Sequence, residues 1–193
     1  MHNYHFTQNW FDNDIPNIRK SLEYWINKPV NMLEVGSFEG RSSVWFLTEV
    51  LTDPDSKITC VDWFNGSEEH EHDGLDVSNI QKIFESNIEQ TGVAGKVTKL
   101  IGKSQEILRT LPIDNFQIIY IDGSHKASDV LEDAVLSFRL LKSGGVMMFD
   151  DYEWPRNQPE TEKPKLGIDS FLTAYAGQFE ILHKSGQVHI RKK

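Results

Sequence analysis

The sequence predicts an α/β fold, a three-layer sandwich on a seven-stranded, mostly parallel sheet that finishes in an antiparallel hairpin. Three observations carry this. Short apolar runs alternate with helical patterns along most of the chain, as expected for parallel strands joined by right-handed crossovers. Several runs are almost continuously apolar, as in Phe116-Gln117-Ile118-Ile119-Tyr120-Ile121, which suits strands covered on both faces. The last two runs are separated only by Ser185-Gly186, a tight-turn signal.

Taken in order, a helix over 15–27 precedes the first strand, and residues 1–29 form a helical cap segment. Strands follow at 30–37, 57–63, 97–102, 116–123 and 145–151, each bounded by Gly, Asp or Asn. Helices fall between them at 42–51, 77–90, 104–111 and 127–141. The last of these puts Val130, Ala134, Phe138 and Leu141 on one face, so it packs on the sheet. A polar, Pro-rich stretch, 155–164, interrupts the rhythm. It leads to a helix at 167–176 and to strands at 179–184 and 187–191. The sheet is therefore expected to hold six strands in one direction and one reversed. A dinucleotide-binding fold ends in parallel strands instead.

Composition narrows the function. The 193 residues fit one domain, 1–193, with a hydrophobic core. No apolar run reaches the roughly 18–20 residues of a membrane helix, and the first residues lack a secretory pattern. With 20 basic and 29 acidic residues, the net charge of −9 repels phosphate backbones and argues against a nucleic-acid substrate. The one cysteine, Cys60, lies in an apolar run, so it reads as a buried thiol in a reducing, cytoplasmic setting. Assembly into a homo-oligomer is left open.

Glu34-Val35-Gly36-Ser37-Phe38-Glu39-Gly40 closes the first strand and opens a helix. Gly36 admits a backbone conformation closed to other residues and a close ligand; Gly40 allows tight packing where the helix starts. Amides at that helix start suit a carboxylate. Alone, the motif reads equally well as a plain strand–helix turn. Asp62 ends the second strand, where a carboxylate can accept both hydroxyls of a ribose or merely cap a turn. Gly102-Lys103-Ser104-Gln105 follows the third strand; Ser104 suits a helix N-cap, and the turn lies on the sheet edge where ligands bind.

This order of motifs resembles the class I S-adenosylmethionine-dependent methyltransferases. It is most similar to the catechol and caffeoyl-coenzyme A O-methyltransferases and to small enzymes allied with macrocin-type sugar O-methyltransferases. The resemblance runs from about Asn31 to Asp151 and extends to the terminal hairpin. It implies a Rossmann-like fold and S-adenosylmethionine as methyl donor. It also implies that Glu34, Gly36, Ser37 and Ser43 line the methionine end, Asp62 and Trp63 flank the ribose, and Ser104 and Gln105 hold the adenine, with Gly40 and Asp122 also among the cofactor-binding residues.

Asp122 ends the fourth strand, and Asp150 and Asp151 end the fifth. Neighbouring strand ends gather these acids at one edge, and such crowding is relieved by a proton or a cation. Mg²⁺ suits an all-oxygen set; the acids read alternatively as strand caps. The catechol-type enzymes hold their metal with an Asp after strand four and an Asp-Asn pair after strand five. The pair here is Asp150-Asp151, which adds charge. Their catalytic lysine matches His125, with Lys126 one position away as a second base. An imidazole can take a hydroxyl proton near neutral pH, and His125 reads equally well as a loop or helix-cap residue.

The expected chemistry is in-line methyl transfer to a hydroxyl of a small or sugar-like molecule, with the protein aligning the reactants. Trp10 and Phe11 read first as core-packing residues and second as acceptor contacts, and Tyr152 and Trp154 are better placed for an acceptor wall; 66–73, with His70 and His72, reads as a solvated lid-like loop. Three rivals stand: a nicotinamide-dependent oxidoreductase, a non-catalytic S-adenosylmethionine-binding module, and a metal-dependent hydroxylase. The last wants more histidines near the acids than His125.

Overall fold

A computed structural model describes residues 3–66, 74–154 and 157–193. Its seven strands are β1 (Asn31–Val35), β2 (Lys57–Asp62), β3 (Val97–Ile101), β4 (Phe116–Ile121), β5 (Leu141–Phe149), β6 (Phe179–Lys184) and β7 (Val188–Lys192). They form one sheet in the order β3-β2-β1-β4-β5-β7-β6. β1 to β5 are parallel, and β7 is antiparallel to both β5 and β6. Six strands thus run one way and one is reversed, as the sequence predicts.

The helices are α1 (Ile15–Leu22), α2 (Arg41–Glu49), α3 (Ile80–Gln90), α4 (Ser104–Leu108), α5 (Ala127–Leu140) and α6 (Pro164–Ala174). Alternation along the strands separates two cores. Met32, Ile118, Tyr120 and Met148 face α1, α2 and α3 through Leu22, Phe46 and Phe84. Their sequence neighbours Leu33, Ile119, Ile121 and Met147 face α5 and α6 through Ala134, Phe138 and Phe171. Cys60 is fully buried in the first core, and burial pushes its thiol well up. No helix among the described residues is long and apolar enough to cross a membrane.

Boundaries differ where local geometry overrides pattern. The helix expected over 15–27 is α1 followed by a 3₁₀ turn at Glu23–Trp25. β5 begins at Leu141, directly after α5, because the buried Leu141 pairs with Phe116 before the ladder shifts register. Pro164 opens α6, a position where its missing N–H costs nothing. The connection from β6 to β7 takes in Gln187 as well as Ser185-Gly186.

The carboxyl ends of the strands are tied in sequence. Gly102 N–H donates to Asp62 O, Gly36 N–H to Val61 O, Asp122 N–H to Val35 O and Asp150 N–H to Ile121 O. Gly36 stands at the centre of this edge with φ +83°, and a Cβ there would lie 1.9 Å from the Asp122 carbonyl oxygen. Gly92 has a similar φ of +73° but open space around it. Gly92→Ala should therefore cost about 1 kcal/mol and Gly36→Ala at least about 3 kcal/mol in urea unfolding. Equal costs would show that the close approach at Gly36 is not a constraint.

Candidate active site

The glycine turn is organised from beneath by a buried acid. Glu34 is fully buried and accepts hydrogen bonds from the hydroxyls of Ser37 (2.8 Å), Ser42 (2.7 Å) and Ser43. Burial raises its pKa and the three hydroxyls oppose that rise. Glu34 and Ser43, expected at the methionine end, sit inside the protein and shape the turn. Ser42, passed over in the sequence, belongs to the same cluster; its spacing from Glu34 carries no period that marks it.

From above, the turn is held by Asp62. Its Oδ2 accepts the amides of Ser37 (2.8 Å) and Phe38 (2.9 Å), and its Oδ1 accepts that of Phe64 (2.7 Å). Three of about four acceptor positions on the carboxylate are thereby used. Room for both ribose hydroxyls narrows to room for one. Trp63 stays 44% exposed beside it and donates its indole N–H to Gly66 O.

Gly36, Ser37, Phe38, Glu39, Arg41 and Ser42 line a cavity of about 70 Å³ with Gln8, Trp10, Phe11 and Asp122. The N-terminal segment closes over it. Thr7 donates from N–H and Oγ1 to the Glu39 carboxylate, and Arg41 pairs with Asp12 at 2.5 Å. Trp10 is 52% exposed at the mouth, whereas Phe11 is buried in the first core. The first turn of α2 opens here after Gly40 (φ +81°) with no side-chain cap, which leaves its amides for an acceptor from outside.

Ser104 is the first residue of α4 rather than its cap, which is Lys103. Its hydroxyl donates to Asp133 Oδ2 at 3.0 Å, and Gln105 is half-buried beside it. Asp133, on α5, is 1% exposed, and its Oδ1 has no hydrogen-bond partner. Burial first, then the nearby charges of Asp129 and Glu132, push its pKa up to about 7 against the bond from Ser104. Nothing in the sequence pattern marks this group, because an acid within a helix pattern reads as surface.

The acids at the ends of β4 and β5 line one small cavity, and two of them, Asp122 and Asp151, form a close cluster with His125. Asp122, His125 and Asp151 each offer one atom within 4.8 Å of the others. His125 Nε2 lies 2.8 Å from Asp151 Oδ2, and its ring meets Trp154 edge-on at 4.5 Å. Asp150 turns inward: its carboxylate accepts Tyr120 Oη–H, Gln187 Nε2–H (2.9 Å) and the amide of Asp151 (2.8 Å). Burial and the Asp151 charge push Asp150 up to about 6. A small cavity of about 10 Å³, the size of one water or ion, lies among Asp122, His125, Asp150 and Asp151. Asp122 thus lines both cavities. Lys126 occupies the N-cap position of α5, its amide on Ser124 Oγ at 3.2 Å. Tyr152 is buried, with its hydroxyl 3.0 Å from Asp169, so it forms no acceptor wall. His70 and His72 lie outside the described residues.

A family model described as a methyltransferase domain matches residues 33–152. An O-methyltransferase, hkm8, of Aspergillus hancockii is 30% identical over 125 residues, which are 65% of this chain and 44% of that protein. The chain spans about half the length of the curated relatives it matches. Among solved structures, the O-methyltransferase TomG of Streptomyces achromogenes, in complex with SAM, superposes with a TM-score of 0.68 at 19% identity, over 92% of this chain and 80% of that one. The O-methyltransferase of Bacillus cereus, in complex with SAH, gives 0.64 at 17% identity, over 99% and 83%. These two likenesses establish the fold, a Rossmann-like α/β sandwich.

Asp133 makes the stability of this edge depend on pH. Its folded pKa of about 7 stands above its ordinary 3.8, so its contribution is present at low pH and is lost as pH rises through that window. Asp133→Asn removes the ionisation while keeping an acceptor for Ser104. Its advantage in thermal unfolding should widen from pH 5 to pH 8, towards an upper limit of about 4 kcal/mol. A difference that is constant with pH would show that Asp133 does not titrate in this window.

Proposed function

Because the chain belongs to the methyltransferase domain family, we propose that it is an S-adenosylmethionine-dependent O-methyltransferase acting on a hydroxyl of a small or sugar-like molecule. The observation that carries this reading is the position of Asp122, the shared wall of the glycine-turn cavity and the smaller cavity beside His125. A donor on one side and an acceptor oxygen on the other would meet there. The sequence relative named an O-methyltransferase supports oxygen as the acceptor atom. An Asp–His cluster, without a cysteine nearby, suits proton removal from a hydroxyl.

The residues present fit the donor. The uncapped first turn of α2 offers amides and a favourable dipole to the carboxylate of a methionine group. Gly36 and Ser37 leave space above the turn, and Gly40 sets the helix start against Phe84. Asp62 keeps one acceptor position for a ribose hydroxyl, with Trp63 beside it. Ser104 and Gln105, at the start of α4, would meet the adenine. When bound, S-adenosylmethionine supplies a methyl group activated by its positive sulfonium. The chain's own contribution is alignment, exclusion of water and removal of one proton.

His125 is the group for that proton. Asp151 holds its Nε2 at 2.8 Å and so fixes the ring, as a carboxylate orients a catalytic imidazole. Lys126 remains the second candidate base. A second reading has support in the cluster of Asp122, His125 and Asp151: a divalent cation held by these three would supply Lewis acidity to the acceptor oxygen. Two carboxylates with one imidazole suit a first-row divalent ion, for which Mn²⁺ is a practical probe. The all-oxygen set that Mg²⁺ prefers would need Asp150, whose carboxylate is engaged by Tyr120, Gln187 and an amide.

Calorimetry with S-adenosylhomocysteine should give a binding isotherm with folded protein. No heat with either adenosylhomocysteine or adenosylmethionine would overturn the assignment, and binding without turnover across hydroxyl acceptors would leave a binding module. Asp151→Asn should lower adenosylhomocysteine release by about 10²–10⁴-fold while leaving affinity for the donor product unchanged. Turnover that survives exhaustive chelation would favour the imidazole acting alone; turnover restored by Mn²⁺ would favour the cation.

A further inference from the structure

Gln187 and His189, on the terminal hairpin, are fully buried and polar, and no step described above uses them. They form a directed chain. Burial, with the charge of His183, holds the His189 pKa down to about 3, so its ring is neutral. Its Nδ1 accepts the Ser21 hydroxyl (2.7 Å), and its Nε2–H donates to Gln187 Oε1 (2.8 Å). That bond fixes the Gln187 amide so that Nε2–H points at Asp150 Oδ1 (2.9 Å). Tyr120 donates to the other oxygen. Every donor points towards Asp150, and a carboxylate receiving all of them has one orientation.

That orientation has a consequence one residue on. Asp150 Oδ1 also accepts the amide of Asp151, which has φ +54°, in the left-handed region that a residue with a side chain seldom adopts. The neighbouring backbone is held too: Tyr152 N–H donates to Gly186 O at 2.8 Å, and Trp154 N–H to Asp151 O at 3.1 Å. In this conformation the Asp151 carboxylate reaches His125.

We propose that Gln187, locked by His189 and Ser21, is a positioning residue that holds Asp150 inward and, through it, holds Asp151 in the left-handed turn that presents its carboxylate to His125 and Asp122. The role of Asp150 is then to hold the backbone, and Asp151 is the acid that faces the site. The inference rests on the proposed catalytic role of the Asp151–His125 pair, but its geometry can be read without turnover.

The test follows the His125 ring by ¹⁵N NMR at fixed pH in metal-free protein, with Asp151→Asn as the reference for a broken contact. Gln187→Met removes the donor with little change of volume. Its His125 Nε2 resonance should move to the position seen in Asp151→Asn, while adenosylhomocysteine affinity stays at the wild-type value. Tyr120→Phe, which removes the second donor, should move it part of the way and decides the matter if Gln187→Met fails to fold. Mn²⁺ is the second probe, and where wild type binds it, Gln187→Met should weaken binding by about tenfold. An unmoved His125 resonance in a folded variant, or equal Mn²⁺ affinity in wild type and Gln187→Met, overturns the proposal. Absence of Mn²⁺ binding to wild type with the resonance shifted removes the cation reading and supports the positioning role.

Discussion

The site depends on the contact between Gly36 and the backbone at Asp122. A Cβ at Gly36 would lie 1.9 Å from the Asp122 carbonyl oxygen, so only glycine lets the turn after β1 lie against the end of β4. That approach places Asp122 where it lines both the glycine-turn cavity and the small cavity at His125. The turn is then fixed on both sides by acids, Glu34 below through hydroxyls and Asp62 above through amides. Two carboxylates so close to the glycine-turn cavity would make it strongly negative if both faced it unpaired. Glu34 is engaged by three hydroxyls and Asp62 by three amides, and the uncapped start of α2 is the local positive end.

The same economy operates at the ends of β4 and β5. Three carboxylates on adjacent strand tips repel one another, and a protein can relieve this by a cation, a proton or reorientation. Here Asp150 is turned into the interior and receives three hydrogen bonds, so Asp122 and Asp151 share the edge with an imidazole. The cost appears in the raised pKa of Asp150, about 6, which burial and the Asp151 charge together produce. The edge therefore carries one acid bound to protein donors and two that cluster with His125.

The fold was legible because its signals are local and periodic. Alternating runs, the glycine turn and the Ser185-Gly186 turn each mark a strand or its end. The motif residues at strand ends were legible for the same reason, since a parallel sheet gathers them at one edge. Which way each side chain faces was not. Asp150 and Asp151 are adjacent, and only the left-handed backbone at Asp151 separates their roles. Tyr152 looked like a cavity wall, yet the next alternation buries it against Asp169. Gln187, His189 and Asp133 are polar residues in elements read as apolar or as surface, and their partners lie far away in sequence: Ser21 is 168 residues from His189. No period or spacing encodes such contacts.

The terminal hairpin links these observations. Adding β7 antiparallel beside β5 brings Gln187, just before β7, next to Asp150, just after β5. A parallel strand in that place would put its amino end at the opposite edge of the sheet, away from the acids. Reversal also sets Gly186 where its carbonyl takes the amide of Tyr152. The antiparallel ending therefore does more than close the sheet. It supplies the donor for Asp150 and the acceptor for the following turn, so that Asp151 is held from both sides. A strained backbone position persists only where its surroundings over-determine it, and here that surrounding is built by one strand's direction.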